Sequence, residues 1–154
     1  MGRGESKLGR VAFLLDHGAD LNRPDVDGDT PFLCALYGNQ TKTGILLLRR
    51  GSNPSAVNKS GQNALHLMAI YANVGGFEGL GDVAHHFKGL DPIAKDASGK
   101  TPRENFNEKD PPSSPELRRA FEEFMGKLQE ARAKDNSDDE EEELFFDAQE
   151  AVQP

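Results

Sequence analysis

Thiols are almost absent from this chain: Cys34 is the single cysteine in 154 residues. It excludes an intrachain disulfide and fits a reducing compartment. Lying between Leu33 and Ala35 in a helical pattern, it reads as a buried structural thiol. No apolar run approaches the roughly 18 residues of a membrane span, and no signal-peptide pattern stands at the start. Met1-Gly2-Arg3-Gly4-Glu5-Ser6 fits a loose lipidation pattern that charged Arg3 weakens. Positive charge is nowhere concentrated. Residues 1–107 hold 12 Lys+Arg against 11 Asp+Glu, and residues 108–134 hold 6 of each. Nothing is basic enough for a nucleic-acid groove, so direct binding of DNA or RNA is not expected. The net charge of −8 belongs to residues 135–154, which carry 9 acids and no base. These absences point to a cytoplasmic or nuclear protein that touches neither membrane nor nucleic acid.

Catalytic constellations are missing as well. His17 and His66 read as structural, and the adjacent His85 and His86 point about 100° apart on a helix, so they cannot share a metal in the i, i+4 manner. Gly99-Lys100-Thr101 is similar to the end of a phosphate loop, but the glycine required five positions earlier is Ala94 and no strand precedes it. No Ser/His/Asp or Cys/His set can be placed on one site. The chain reads as non-enzymatic, with no catalytic residue, no cofactor and no metal.

What is present is a period. Asp25-Val26-Asp27-Gly28-Asp29-Thr30-Pro31, Asn58-Lys59-Ser60-Gly61-Gln62-Asn63-Ala64 and Asp96-Ala97-Ser98-Gly99-Lys100-Thr101-Pro102 align, with glycines 33 and then 38 positions apart. A second comb keeps step: Gly18, Gly51 and Gly89, each following an apolar stretch, are again separated by 33 and 38. Two independent landmarks thus share one period and one five-residue insertion. The Asp/Asn-x-x-Gly step suits a tight hairpin tip. Thr30 and Thr101 suit helix N-caps, with Pro31 and Pro102 at the first helical position. Gly18, Gly51 and Gly89 suit left-handed helix ends. No such unit buries its own apolar face, so neighbours must stack.

These residues resemble the ankyrin repeat family. The resemblance implies an all-α repeat solenoid of helix–turn–helix units with short β-hairpin loops. It divides the chain into a flexible start (1–7), a partial unit with only a second helix (8–24), full units at 25–57 and 58–95, a degenerate capping unit with a long helix (96–134), and a disordered acidic tail (135–154). Departures are Asn63-Ala64 for Thr-Pro in the unit 58–95, where weaker capping is expected, and Leu33 and Arg103 where His66 alone keeps the usual histidine. The glycine-rich run Gly75–Gly81 reads as a mobile inter-helix loop holding the insertion, anchored by Phe77 or Leu80. The partial first unit leaves Val11, Phe13, Leu14 and Leu15 without a polar cap, as in a piece of a longer array.

Ser114 and Pro115 open a helix whose Leu117, Phe121, Phe124, Leu128 and Ala131 share one face. It reads as the cap of the last unit, its turns past Leu128 free; the rival reading is a protruding helix that docks a partner. In the acidic tail, Leu144-Phe145-Phe146 is similar to a linear docking motif. Ser137, followed by acids, and Ser114, followed by proline, are phosphorylation candidates. Leu14, Asp20, Leu21 and Asn22 match a pattern that asparaginyl hydroxylases favour in such repeats.

By resemblance, function lies in binding a partner protein through a concave face of hairpin tips and first helices. The tips offer Val26, Asp27, Asp29, Lys59, Ser60, Gln62, Ala97, Ser98 and Lys100; the helices offer Tyr37, Ile70 and Tyr71. The protein is expected to act as a monomer. Two alternatives share the sequence: a regulatory inhibitor or adaptor whose acidic tail engages a basic surface, and the C-terminal fragment of a larger ankyrin scaffold or enzyme.

Overall fold

The structure, a computed structural model, describes residues 6–109 and 112–150, with side chains through residue 136. Among the described residues the chain forms α-helices and no strand. The helices are α1 (Lys7–Asp16), α2 (Pro31–Tyr37), α3 (Thr41–Arg49), α4 (Ala64–Tyr71), α5 (Val74–Gly81), α6 (Pro102–Asn107) and α7 (Pro115–Glu150), with a 3-10 turn at Ala84–Phe87. One layer stacks α2 on α4 and α4 on α6; the other stacks α1 on α3, α3 on α5 and α5 on α7. This is the all-α repeat solenoid that the resemblance implies.

Each hairpin is built by one side chain. Asp25 Oδ1 accepts from the N–H groups of Asp27 and Asp29, Asn58 Oδ1 from those of Ser60 and Gln62, and Asp96 Oδ1 from those of Ser98 and Lys100, all at 2.9–3.0 Å. The loops then ladder together: Lys59 N donates to Asp27 O, and Ala97 N to Ser60 O, both at 3.0 Å. Gly61 sits at φ +70°, and a Cβ there would meet Ala97 N at 2.7 Å.

The helix starts follow the sequence reading at Thr30 and Thr101, whose hydroxyls accept from Leu33 N and Glu104 N. The weaker capping expected at Asn63 is wrong. Asn63 Oδ1 accepts from Leu65 N and His66 N, and His66 Nδ1 accepts from Asn63 N in return. The acceptor-only carbonyl of Lys100, 3.1 Å from Nε2, places the ring proton on Nε2 and frees Nδ1 to accept. His66 therefore ties the α4 cap to the next hairpin, closing both ends of its ring.

The run Gly75–Gly81 is likewise not a loop. It is α5, capped by Asn73, whose Oδ1 accepts from Gly76 N at 2.8 Å. Phe77, 1% exposed, lies amid Phe106, Phe121 and Phe124 at ring-centre distances of 5.6–6.3 Å. The insertion falls after this helix, in the 3-10 turn. For that reason Gly89 lacks the positive φ that ends α1 and α3 at Gly18 (+88°) and Gly51 (+95°).

That turn is a seat for α7. Leu128 is fully buried, the Arg132 guanidinium donates to the carbonyls of Leu90 and Lys88, and Lys88 pairs with Asp135 at 2.7 Å. The turns just past Leu128, expected to be free, are thus docked through Asp135. The backbone of α7 continues to Glu150, where disorder from residue 135 was expected. Glutamate is a good helix former, and neither glycine nor proline interrupts residues 127–150.

Burial of Ser52, 4% exposed, is less favourable: its Oγ has no hydrogen-bond partner among the described residues. The matching position beside Gly18 is Ala19. Ser52→Ala is expected to stabilise the array by about 1 kcal/mol, because an unsatisfied hydroxyl is removed without loss of packing. A raised urea midpoint checks this.

Candidate functional site

The loop at residues 25–29, its neighbour at 58–62 and the open side of α2 enclose a cavity of about 420 Å³. One wall carries Asp25, Asp27 and Asp29, the other Lys59 and Ser60, and Cys34 and Tyr37 rise from α2 between them. Cys34 and Tyr37 are three residues apart and so share a helix face. The thiol is exposed, contrary to the buried reading, because α2 turns Leu33 and Leu36 into the core and Cys34 away from it.

Tyr37 and Tyr71, from α2 and α4, hold their rings 4.9 Å apart at a tilt of 49° and are 37% and 44% exposed. Tyr37 is held from below. Its hydroxyl accepts from Asn58 Nδ2 at 3.2 Å and donates to Gln62 Oε1 at 3.4 Å. Asn58 Nδ2 also donates to Asp29 Oδ1 at 3.0 Å. Asp29, expected at an exposed tip, is therefore buried: the next hairpin covers it, and it positions Asn58 instead of facing solvent.

Of the other expected contact residues, Val26, Asp27 and Lys59 are exposed, while Gln62, Ile70 and Lys100 are partly buried. Lys100 Nζ is engaged by Glu108. Ser114 is exposed and its Oγ accepts from Leu117 N as the α7 cap. Asn22 is exposed, its Oδ1 accepting from Asn53 N at 2.7 Å. The side chains of Ser137, Leu144, Phe145 and Phe146 lie outside the described residues. Cys34, Asp25 and Asn58 are the cavity residues that the sequence reading did not select. The i, i+3 relation of Cys34 to Tyr37 was the available signal.

Negative potential collects in this cavity. Burial, and then the carboxylates of Asp25 and Asp27, push the Asp29 carboxyl above its ordinary range, partly offset by the bond from Asn58. The Cys34 thiol is raised by burial and then by Asp25 and Asp29. The Tyr37 phenol is raised by burial first and then by Asp29. Asp25, Asp27 and Asp29 can bring carboxylate oxygens within 4.8 Å of one another, but one oxygen of Asp25 and one of Asp29 already serve the hairpins.

The family model for ankyrin repeats (many copies) matches residues 3–48. The structure carries the same hairpin–helix–helix geometry onward through α6 and α7. Residues 3–48 are thus similar to ankyrin repeats. The ankyrin array is also similar to Protein glp-1 of Caenorhabditis elegans, 38% identical over 52 residues, and to Protein lin-12 of the same organism, 34% identical over 58. These matches cover 34% and 38% of the array's chain but only 4% of either relative. Ankyrin repeats are in general protein–protein interaction modules and typically non-enzymatic. No helix among the described residues is long and apolar enough to cross a membrane.

Proposed function

We propose that this ankyrin array binds a partner protein through the concave face formed by its hairpin tips and by α2 and α4, chiefly within the units 25–57 and 58–95. The observation that carries this reading is the Tyr37–Tyr71 pair. Two aromatic rings from the stacked helices α2 and α4 stand in contact with each other, half-exposed, over a hydrogen-bonded floor. Both side chains remain more than a third exposed, and aromatic anchors dominate interface energies. Around the pair, Val26, Asp27, Lys59 and Gln62 supply rim contacts, with Ile70 and Lys100 at the edge.

Joint replacement Tyr37→Ala and Tyr71→Ala is expected to weaken a partner captured by affinity purification by about 2 kcal/mol or more, with the fold retained. Calorimetry on the purified pair measures this. Unchanged affinity with an intact helical spectrum would remove the concave face from consideration and leave the apolar Leu144-Phe145-Phe146 of the acidic tail as the recognition element. That segment would instead show strong loss of binding on Leu/Phe→Ser replacement or at high salt.

A further inference from the structure

We infer that the cavity beside Tyr37 is a socket for a guanidinium side chain, so that the partner presents an arginine within a basic segment. This deepens the concave-face reading and rests on it. The tyrosine pair and the cavity set the shape: Tyr37 gives an aromatic wall next to about 420 Å³ of open space, with Tyr71 extending the aromatic surface. A flat delocalised cation stacks on such a wall and is attracted by the ring quadrupole.

Charge complementarity sets the sign. The groups facing the cavity are Asp25, Asp27 and Asp29 against Lys59 alone, and none of the four is in an ion pair among the described residues. Asp27 is the exposed carboxylate that the hairpin does not use as an acceptor, since the turn bonds go to Asp25. It is free to take a forked pair of N–H donors, the geometry in which guanidinium exceeds ammonium. Lys59, at the opposite rim, is the one positive charge lining the cavity and opposes an incoming cation. Burial is the first cause of the raised Cys34 thiol and Tyr37 phenol, and the neighbouring carboxylates add to it.

The chain has two tyrosines, Tyr37 and Tyr71, so ring-labelled tyrosine reports on this site alone by NMR. N-acetyl-arginine methylamide is titrated into the full chain, with the uncharged isostere N-acetyl-citrulline methylamide as control. The arginine amide is expected to shift the ring resonances saturably, and the citrulline amide to bind at least tenfold more weakly. Asp27→Asn should weaken the arginine response at least threefold, whereas Lys59→Gln should strengthen it about twofold or more. A general loss of structure would move both substitutions the same way, so their opposite signs isolate the charge effect. Equal responses to the two amides, or an arginine response indifferent to both substitutions, would overturn the inference. In that case, a partner still weakened by the tyrosine replacements would leave the concave-face reading standing. A partner indifferent to those replacements would remove the reading itself.

Discussion

Gly61→Ala is expected to destabilise the array by about 3 kcal/mol, and Gly99→Ala by only about 1 kcal/mol. Both glycines occupy the same place in their hairpins, with φ of +70° and +79°, so both pay the conformational cost of an L side chain in the left-handed region, roughly 1–2 kcal/mol. They differ in what lies above them. A Cβ on Gly61 would meet the backbone nitrogen of Ala97 at 2.7 Å, the atom that donates to Ser60 O, whereas one on Gly99 would meet nothing within 4 Å. Relief at Gly61 must come from moving a backbone that is itself hydrogen-bonded, which adds about 1–3 kcal/mol. Gly28, with Lys59 N at 3.0 Å, should fall between the two. Urea titrations of the three variants give the order directly. Equal losses at Gly61 and Gly99 would mean that the hairpins do not stack closely and that only the turn conformation matters.

Phe77→Ala should be costlier still, at about 3–5 kcal/mol. Its ring is the meeting point of α5 with α6 and α7, at 6.3 Å from Phe106, 5.6 Å from Phe121 and 6.0 Å from Phe124. Phe106 and Phe121 also stack face to face at 4.1 Å. Those three partners are fixed on two other helices, α6 and α7, so the void cannot collapse around a methyl group. Small domains have only about 5–15 kcal/mol in all, and the variant should therefore lose helical signal well before the unsubstituted chain. Glu78→Ala, one residue on and exposed, should be nearly neutral and serves as the control for helix propensity. A Phe77→Ala chain that unfolds with the same midpoint as the parent would restore the mobile-loop reading of residues 75–81.

The fold was legible because its signals sit where the backbone demands particular residues. Aspartate or asparagine must open each hairpin to receive two N–H groups, and glycine must follow three residues later. Those requirements are local and survive in the sequence as a period. The α5 helix was not legible, because Gly75, Gly76, Gly79 and Gly81 resemble loop composition. Two of them, Gly76 and Gly79, are small for steric reasons instead. A Cβ on Gly76 would come within 2.8 Å of Asn39 Oδ1, and one on Gly79 within 2.7 Å of Thr41 Cγ2. The helix gives up propensity so that the preceding helix pair can approach, and no one-dimensional pattern records which neighbour approaches. The same holds at the candidate site. Tyr37 and Tyr71 were identifiable from the period as helix residues on the open side. The burial of Asp29 depends on Asn58 reaching back from the next loop, a contact between positions 29 residues apart. Cap exchange at Asn63 followed the same course: histidine in place of the usual acidic or amide partner closes the box only because Lys100 O fixes its tautomer.

The outward turn of Cys34 has a practical side. It is the one thiol in the chain, it opens onto the cavity between the two hairpins, and it stands one helical turn from Tyr37. A fluorophore or nitroxide attached there would be a single, unambiguous reporter at the face in question, with no cysteine to remove first. Because burial and the neighbouring carboxylates raise the thiol, coupling should be slow at neutral pH and quicken on the alkaline side, where the thiolate forms.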